Sequence, residues 1–335
     1  MKKNIFSTAR FGVWLLLALS VPLCIPSSAK GAAAGTKLIL VVPHRVFFTV
    51  AVPVYIAQEK GYYKEGNIEV DAVFTKGGGE NVQAVVSGDA QIGLSTGFFA
   101  VLSAFARGAP IKVAAAEITG MDSFWYALGN SPIRKMEDLA GKKVAFSRAG
   151  ASTHMAVLAM SDQIKAKGLK PLEPVSLGGP PESYTGVRTG QADAGWSVAP
   201  FMLDRIDKGE LRVVVKGSEI EALNDITSRV HFVNTGFAAK RPDVVRAFFR
   251  AHQRAVEYMM DHKEETTKIW IRKAELKLPE SAVLKTWDFY SKAAMAMKPI
   301  RGVQTTMEDA VRLKFLQQPL SKAELDRLID LSYLP

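Results

Sequence analysis

A short segment that occurs twice constrains this chain more than any other feature. SGDAQIGLS at 87–95 has a counterpart in TGQADAGWS at 189–197. In each copy a small residue and a glycine end a helical pattern. A brief apolar run then supplies one strand, and a serine opens the next helix. Each copy is followed by a helix that stops at a glycine, Gly108 or Gly209, and by a further strand. Two related α/β halves in one chain predict two similar lobes.

The rest of the pattern agrees. Lys37 to Val42, Asn67 to Phe74, Ala90 to Leu94 and Ile111 to Ala116 read as strands, separated by helical stretches. A second series follows with strands at Lys142 to Ser147, Leu172 to Leu177, Ala192 to Trp196 and Leu211 to Val215, and helices that include Ala199 to Lys208. Strands alternating with helices imply βαβ units and mainly parallel sheets. Two apolar runs, Phe124 to Leu128 and Arg229 to Val233, flank the second series and are expected to connect the lobes as a hinge. From Arg241 onward the pattern is helical, with a run over Ser281 to Met297 and a capping box at Ser321 and Glu324. The expected organisation is therefore residues 35–123 and 229–335 in lobe 1, with the helical tail, and 124–228 in lobe 2.

The first residues carry an address. Lys2, Lys3 and Arg10 precede an apolar stretch from Phe11 to Ile25, and small residues follow at Ser27 to Ala29 and Ala32 to Ala34. This is the three-part pattern of a secretory signal peptide, assigned here to residues 1–34. The single cysteine, Cys24, lies inside it. A mature chain without a thiol has no disulfide, no cysteine nucleophile and no thiolate metal site. Removing the four basic residues of the leader from the 43 in the chain leaves 39 against 33 acidic ones. That mild excess is compatible with an anionic ligand, and no basic run suggests nucleic acid.

In open α/β sheets ligands sit beyond the carboxyl ends of parallel strands, where helix N-termini present free N–H groups and partial positive charge. The expected turns are 43–49, 75–80, 95–98, 147–154 and 196–201. They offer the hydroxyls of Ser95, Thr96, Ser152, Thr153 and Ser197, which suit a carboxylate, sulfonate or phosphate. Aromatic residues lie beside them, among them Phe47, Phe48 and Trp196, and His154 can donate a hydrogen bond. Pockets are mostly apolar with a few placed polar groups, so the expected ligand is an organic anion. Gly77 to Gly79 lacks the spacing of a phosphate-binding loop. The five histidines lack zinc spacing, and no motif marks a catalytic acid, base or nucleophile. No cofactor, metal or enzymatic activity is expected.

Several segments together resemble a known family. They are IAQEKGYYKEGNIEV at 56–70, GDAQIG at 88–93, ARGAPIKV at 106–113, MEDLAGKKVA at 136–145 and GQADAG at 190–195. The sequence is similar to the periplasmic binding proteins of nitrate, taurine and sulfonate ABC importers, a group that includes relatives of the thiamine-pyrimidine-precursor proteins. The resemblance implies a type II periplasmic binding fold, with two α/β lobes closing on a ligand about a two-strand hinge. It implies a monomeric periplasmic receptor whose partners are a small molecule and the transmembrane subunits of the permease. It also implies ligand contacts after the first strand, at Ser95 and Thr96, at Ser152 and Thr153 and near Trp196, with Gly120 and Asp122 near the hinge. Two other functions stay open: an enzyme of thiamine-pyrimidine or related cofactor synthesis on the same fold, and a subunit that presents ligand to a membrane sensor.

Overall fold

The computed structural model describes residues 35–335 apart from Lys76. The expected signal peptide and Cys24 lie outside the described residues. The chain runs β1 (Thr36–Pro43), α1 (Phe48–Glu59), α2 (Tyr62–Glu65), β2 (Ile68–Thr75), α3 (Gly78–Ser87), β3 (Ile92–Gly97), α4 (Phe98–Ala106) and β4 (Ile111–Thr119). It continues with β5 (Ser123–Leu128), β6 (Lys143–Phe146), α5 (Ser152–Ala166), β7 (Glu173–Ser176), α6 (Pro180–Arg188), β8 (Gly195–Val198), α7 (Leu203–Asp207), β9 (Leu211–Lys216) and β10 (Thr227–Asn234). The tail holds α8 (Thr235–Lys240), α9 (Pro242–Asp261), α10 (Lys263–Ala274), α11 (Glu280–Leu284), α12 (Val303–Arg312) and α13 (Lys322–Leu328).

The first sheet has the order β2-β1-β3-β10-β4. The second is built from β8-β5-β9 and β6-β7, joined where Val144 bridges Ala194 in parallel and Ala145 N–H donates to Ala194 O at 2.9 Å. Its order is thus β7-β6-β8-β5-β9, the same arrangement strand for strand. Each sheet is parallel except for one inserted strand, β10 or β5, which pairs antiparallel on both sides. The sheets are mainly parallel, as expected, and these two strands are the exceptions.

The repeated segment does the same physical work in both halves. Gln91 Oε1 accepts from Ile39 N–H, and Asp193 Oδ2 accepts from Lys143 N–H, each at 2.8 Å. Each side chain satisfies a strand donor at the start of its sheet. The second glycine of each copy leaves room for an aromatic ring of the antiparallel strand. A Cβ on Gly93 would lie 2.3 Å from the Phe232 ring, and one on Gly195 would lie 2.6 Å from the Tyr126 ring.

Phe124 to Leu128 and Arg229 to Val233 are not the connections themselves. They lie within β5 and β10, each inside a sheet with a paired strand on both sides, and their apolar side chains are buried apart from the half-buried Leu128. The chain crosses just before them, at 120–122 and 217–226. These crossings hold one another, with Gly120 N–H donating to Ile226 O at 2.9 Å and Ser228 Oγ to Gly120 O at 2.8 Å. Gly120 takes φ 87, a conformation that favours glycine.

Two helical expectations shorten. Pro200 and Phe201 lie in a turn before α7, and 290–297 runs without helix after α11 and a short 3₁₀ turn. The second segment covers the open edge of β4, where Ala116 and Thr119 N–H donate to Met297 and Ala294 O, each at 2.8 Å. Covering an edge strand removes unpaired backbone groups. In α9, Val244, Val245, Phe248, Phe249, His252, Ala255 and Met259 are buried along one face, which packs on α1 and α2. Ser321 and Glu324 form the expected capping box.

Candidate functional site

The parallel strands β1, β2 and β3 and the strands β6, β7 and β8 end in turns that face each other. Phe47, after β1, meets Phe201, after β8, with ring centroids 5.7 Å apart and edges crossed at 64°. His44 lies 4.6 Å from Phe47. A Cβ on Gly77, between β2 and α3, would lie 3.3 Å from the Arg148 guanidinium, after β6. A Cβ on Gly97, at the start of α4, would lie 3.4 Å from Gly150 O and 3.9 Å from Ser152 N, at the start of α5. The two halves therefore close on each other around the first turns of α4 and α5.

Neither of those helices has a side-chain cap, and the same holds for α1, α3 and α6. Uncapped helices also occur in the tail. What distinguishes α4 and α5 is that their first turns face one another, so two sets of backbone donors share one small space. Ser95 adds a hydroxyl. It sits near the carboxyl end of β3 at φ 49, is 4 % exposed, and its Oγ has no hydrogen-bond partner among the described residues. A buried hydroxyl without a partner carries a desolvation cost that a ligand acceptor would remove.

The structure sorts the other expected residues. Ser152 is buried at the first position of α5. Thr153 turns back onto its own loop, its Oγ1 accepting from Ser147 N–H at 3.0 Å. His154 stacks on Phe146, and its Nδ1 accepts from Gly150 N–H at 3.3 Å. Thr96 is fully buried against α3, in contact range of any Cβ on Gly78. Ser197 Oγ donates to Phe201 O at 3.2 Å and braces the β8–α7 turn. Trp196 is 5 % exposed and its indole N–H donates to Gly178 O at 3.0 Å. Phe48 is a correction. It has no exposed surface and its ring packs on Trp270, Trp287 and Tyr290, because the first helical residue of α1 points into the core while Phe47 stays at the cleft.

Gly120 and Asp122 lie at the hinge, where sequence reasoning missed a charge cluster. The Arg229 guanidinium, at the start of β10, binds Asp122 through two bonds of 2.9 and 2.7 Å and Glu117 Oε2 through a third of 2.6 Å. Tyr290 OH donates to Asp122 at 3.3 Å, and Arg229 also reaches Thr49 Oγ1 at 3.4 Å. Arg229 pairs in register with Gly97, so the cluster lies level with the first turn of α4. Burial raises the Glu117 carboxyl above its ordinary pKa, and Asp122 adds to this while Arg229 opposes it. The Glu117 Oε1 atom is buried and has no hydrogen-bond partner among the described residues. In the sequence nothing separates Arg229 or Glu117 from surface charges, since their partners are far along the chain.

Behind Ser95 lies a pair of buried histidines. His231 Nδ1 accepts the Ser95 backbone N–H at 3.1 Å, which fixes the neutral ring with its proton on Nε2. Burial holds His231 well below its ordinary pKa, with His252 and Arg229 acting the same way, and burial lowers His252 to about 4. His252 packs edge-on at 5.1 Å from His231. Because the folded pKa lies below the unfolded value, the unfolded chain binds more protons between the two. Stability is therefore expected to fall as pH drops from 6.5 towards 4, by about 1.4 kcal/mol per unit for each such histidine. Denaturant melts across that range should give a flatter curve for His252→Gln than for the wild type. Parallel curves would show that His252 takes up its proton without opening the fold.

Two sheets of matched order, joined by paired crossings and closing on a cleft at the carboxyl ends of their strands, define the type II periplasmic-binding-protein fold. The family model described as NMT1/THI5 like matches residues 49–266, and the chain belongs to that family. The taurine-binding periplasmic protein of Escherichia coli is 31 % identical over 215 residues, which is 61 % of this chain and 62 % of that protein. A 4-amino-5-hydroxymethyl-2-methylpyrimidine phosphate synthase of Saccharomyces cerevisiae is 23 % identical over 235 residues, 62 % of this chain and 63 % of the yeast protein. The match thus spans less than two thirds of these relatives. Among solved structures, the periplasmic aliphatic sulphonate binding protein SsuA of Escherichia coli superposes with a TM-score of 0.70 at 18 % identity, covering 88 % of this chain and 92 % of that one. The nitrate-binding protein NrtA of Synechocystis gives 0.67 at 16 % identity, covering 89 % and 87 %.

Proposed function

We propose that this chain is an extracytoplasmic solute-binding receptor of an ABC importer that captures a small organic anion and performs no chemistry on it. The observation that carries this reading is the meeting of the α4 and α5 N-termini beside the unpartnered, buried Ser95 hydroxyl. An anion placed there would accept backbone N–H groups from both halves and so favour the closed arrangement by its differential affinity. Phe47 and Phe201 would cover its organic part. The taurine-binding relative supports a sulfonate or carboxylate ligand. In this reading residues 35–123 and 229–335 form lobe 1 and 124–228 form lobe 2, the leader at 1–34 directs export to the periplasm, and the closed monomer docks on the permease. The yeast relatives support a second reading, an enzyme of pyrimidine synthesis, which product analysis after incubation with the ligand would reveal.

The test is a thermal-shift screen of the mature protein against taurine, alkane- and arylsulfonates, carboxylates, pyrimidines and nitrate. A ligand that binds the folded state alone raises the melting temperature by mass action. Ser95→Ala is expected to melt like the wild type without ligand, because its hydroxyl has no partner to lose among the described residues. It should bind the anion at least tenfold more weakly, since hydrogen bonds to charged groups contribute about 1.5–3 kcal/mol. Equal affinity for the two proteins would remove Ser95 from the site, and no shift with any anion would remove the anionic ligand.

A further inference from the structure

The C-terminal turn of α12 lies beyond the family match, which ends at residue 266, and outside the strand–helix turns of the cleft. It nevertheless reaches the junction of α4 and α5. α12 packs on α4. After it the chain reverses, with Lys314 at φ 63 and the N–H groups of Phe315 and Leu316 both donating to Ala310 O, at 2.7 and 3.0 Å. This reversal places the Phe315 ring 5.6 Å from that of Phe99, in the first turn of α4. On its other side the ring lies against Gly150, where a Cβ would come within 2.8 Å of it. Gly150 stands at φ 79, so a side chain there would be strained as well as blocked. Arg312, at the end of the same helix, bonds Asp162 on α5 at 3.1 Å. One turn of the tail therefore touches both helices that face each other.

We propose that Phe315 is a positioning residue of the ligand seat, which fixes the Gly150–Ser152 turn against the first turn of α4. Its role in binding rests on the anionic-ligand reading, whereas its hold on the turn does not. Hydrogen bonds weaken quickly outside a donor–acceptor window of about 2.7–3.2 Å, so donors from two halves serve one anion only if their separation is held. A half-buried ring wedged between Phe99 and backbone holds that separation better than the ion pair, which is half-exposed on both partners and contributes little by itself.

The experiment compares wild type, Phe315→Ala, Phe315→Leu and Arg312→Gln as mature full-length proteins. Backbone amide exchange over residues 150–155 is followed without ligand, and methanesulfonate and taurine are then titrated calorimetrically. Phe315→Ala should exchange at least tenfold faster over 150–155 and unfold within about 3 °C of the wild type, with Phe315→Leu restoring most of the protection. Binding of whichever probe the wild type takes should weaken at least fivefold in Phe315→Ala. Unchanged exchange over 150–155 would overturn the proposal whatever the titrations give, as would equal affinity in wild type and Phe315→Ala. Faster exchange with no binding of either probe by the wild type would uphold the hold on the turn and count against the anionic ligand instead. Arg312→Gln, an exposed change, should alter exchange less than Phe315→Ala, and the reverse order would move the role to the ion pair.

Discussion

Replacing Arg229 by methionine is expected to destabilise the protein by about 3–5 kcal/mol, the cost typical of breaking a buried ion pair by removing one partner. The geometry explains the size. Arg229 makes three bonds of 2.6–2.9 Å to Asp122 and Glu117, two carboxylates that are 7 % and 3 % exposed. Without the guanidinium those two acids face each other in the interior with no countercharge. For a chain of this size each kcal/mol corresponds to a shift of about 2–4 °C, so the melting point should fall by roughly 10 °C. The loss should shrink as pH is lowered through the carboxylate range, because the folded variant then takes up protons that relieve the repulsion. Replacing all three charged residues with apolar ones of similar volume should cost far less than the single change. A melting point for Arg229→Met within 2 °C of the wild type would show that water, not burial, sets the energy of this cluster.

Phe48→Ala should cost a similar amount, about 3–5 kcal/mol, whereas Phe47→Ala should cost less than 1 kcal/mol of stability. The two rings are neighbours in sequence with opposite surroundings. Phe48 has no exposed surface and sits 4.9–5.3 Å from the rings of Trp270, Trp287 and Tyr290, so its removal leaves a cavity between α1 and the tail. Phe47 stands at the cleft beside His44 and Phe201. Its loss should appear in ligand affinity and not in the unfolding free energy. Denaturant unfolding and ligand titration of the two variants separate these outcomes, and a Phe48→Ala protein as stable as the wild type would place that ring outside the core.

Much of the architecture is legible in the sequence. The repeat at 87–95 and 189–197 announces two matched halves, and equivalent positions in the two copies have matching causes. Gln91 and Asp193 each satisfy a strand donor, and Gly93 and Gly195 each make way for a ring. Local chemistry is enough to read such positions, because turns, caps and strand alternation depend on residues close together in the chain. The apolar runs at 124–128 and 229–233 are legible in the sequence as candidate connections, but not as strands inserted in the two sheets. An apolar run looks the same whether it lies between two sheets or inside one.

The cleft was harder. The turns that form it were identified from strand-to-helix order, yet Thr96, Thr153 and Ser197 hold their own loops, and Phe48 belongs to the core. A hydroxyl at a helix start reads identically in sequence whether it faces a ligand or its own backbone.

The sequence by itself determined the two-lobed α/β plan, the family and the level at which a ligand would enter, since each follows from periodicity and short-range motifs. Only the tertiary structure decided which side chains stand at that level. Arg229 meets Glu117 and Asp122 across more than a hundred residues of chain, and Phe315 reaches Gly150 from the far end of it. Such meetings depend on how the two sheets cross and how the tail packs over them. Those are properties of the folded surface of contacts, and no local pattern encodes which distant partner a charge or a ring will find.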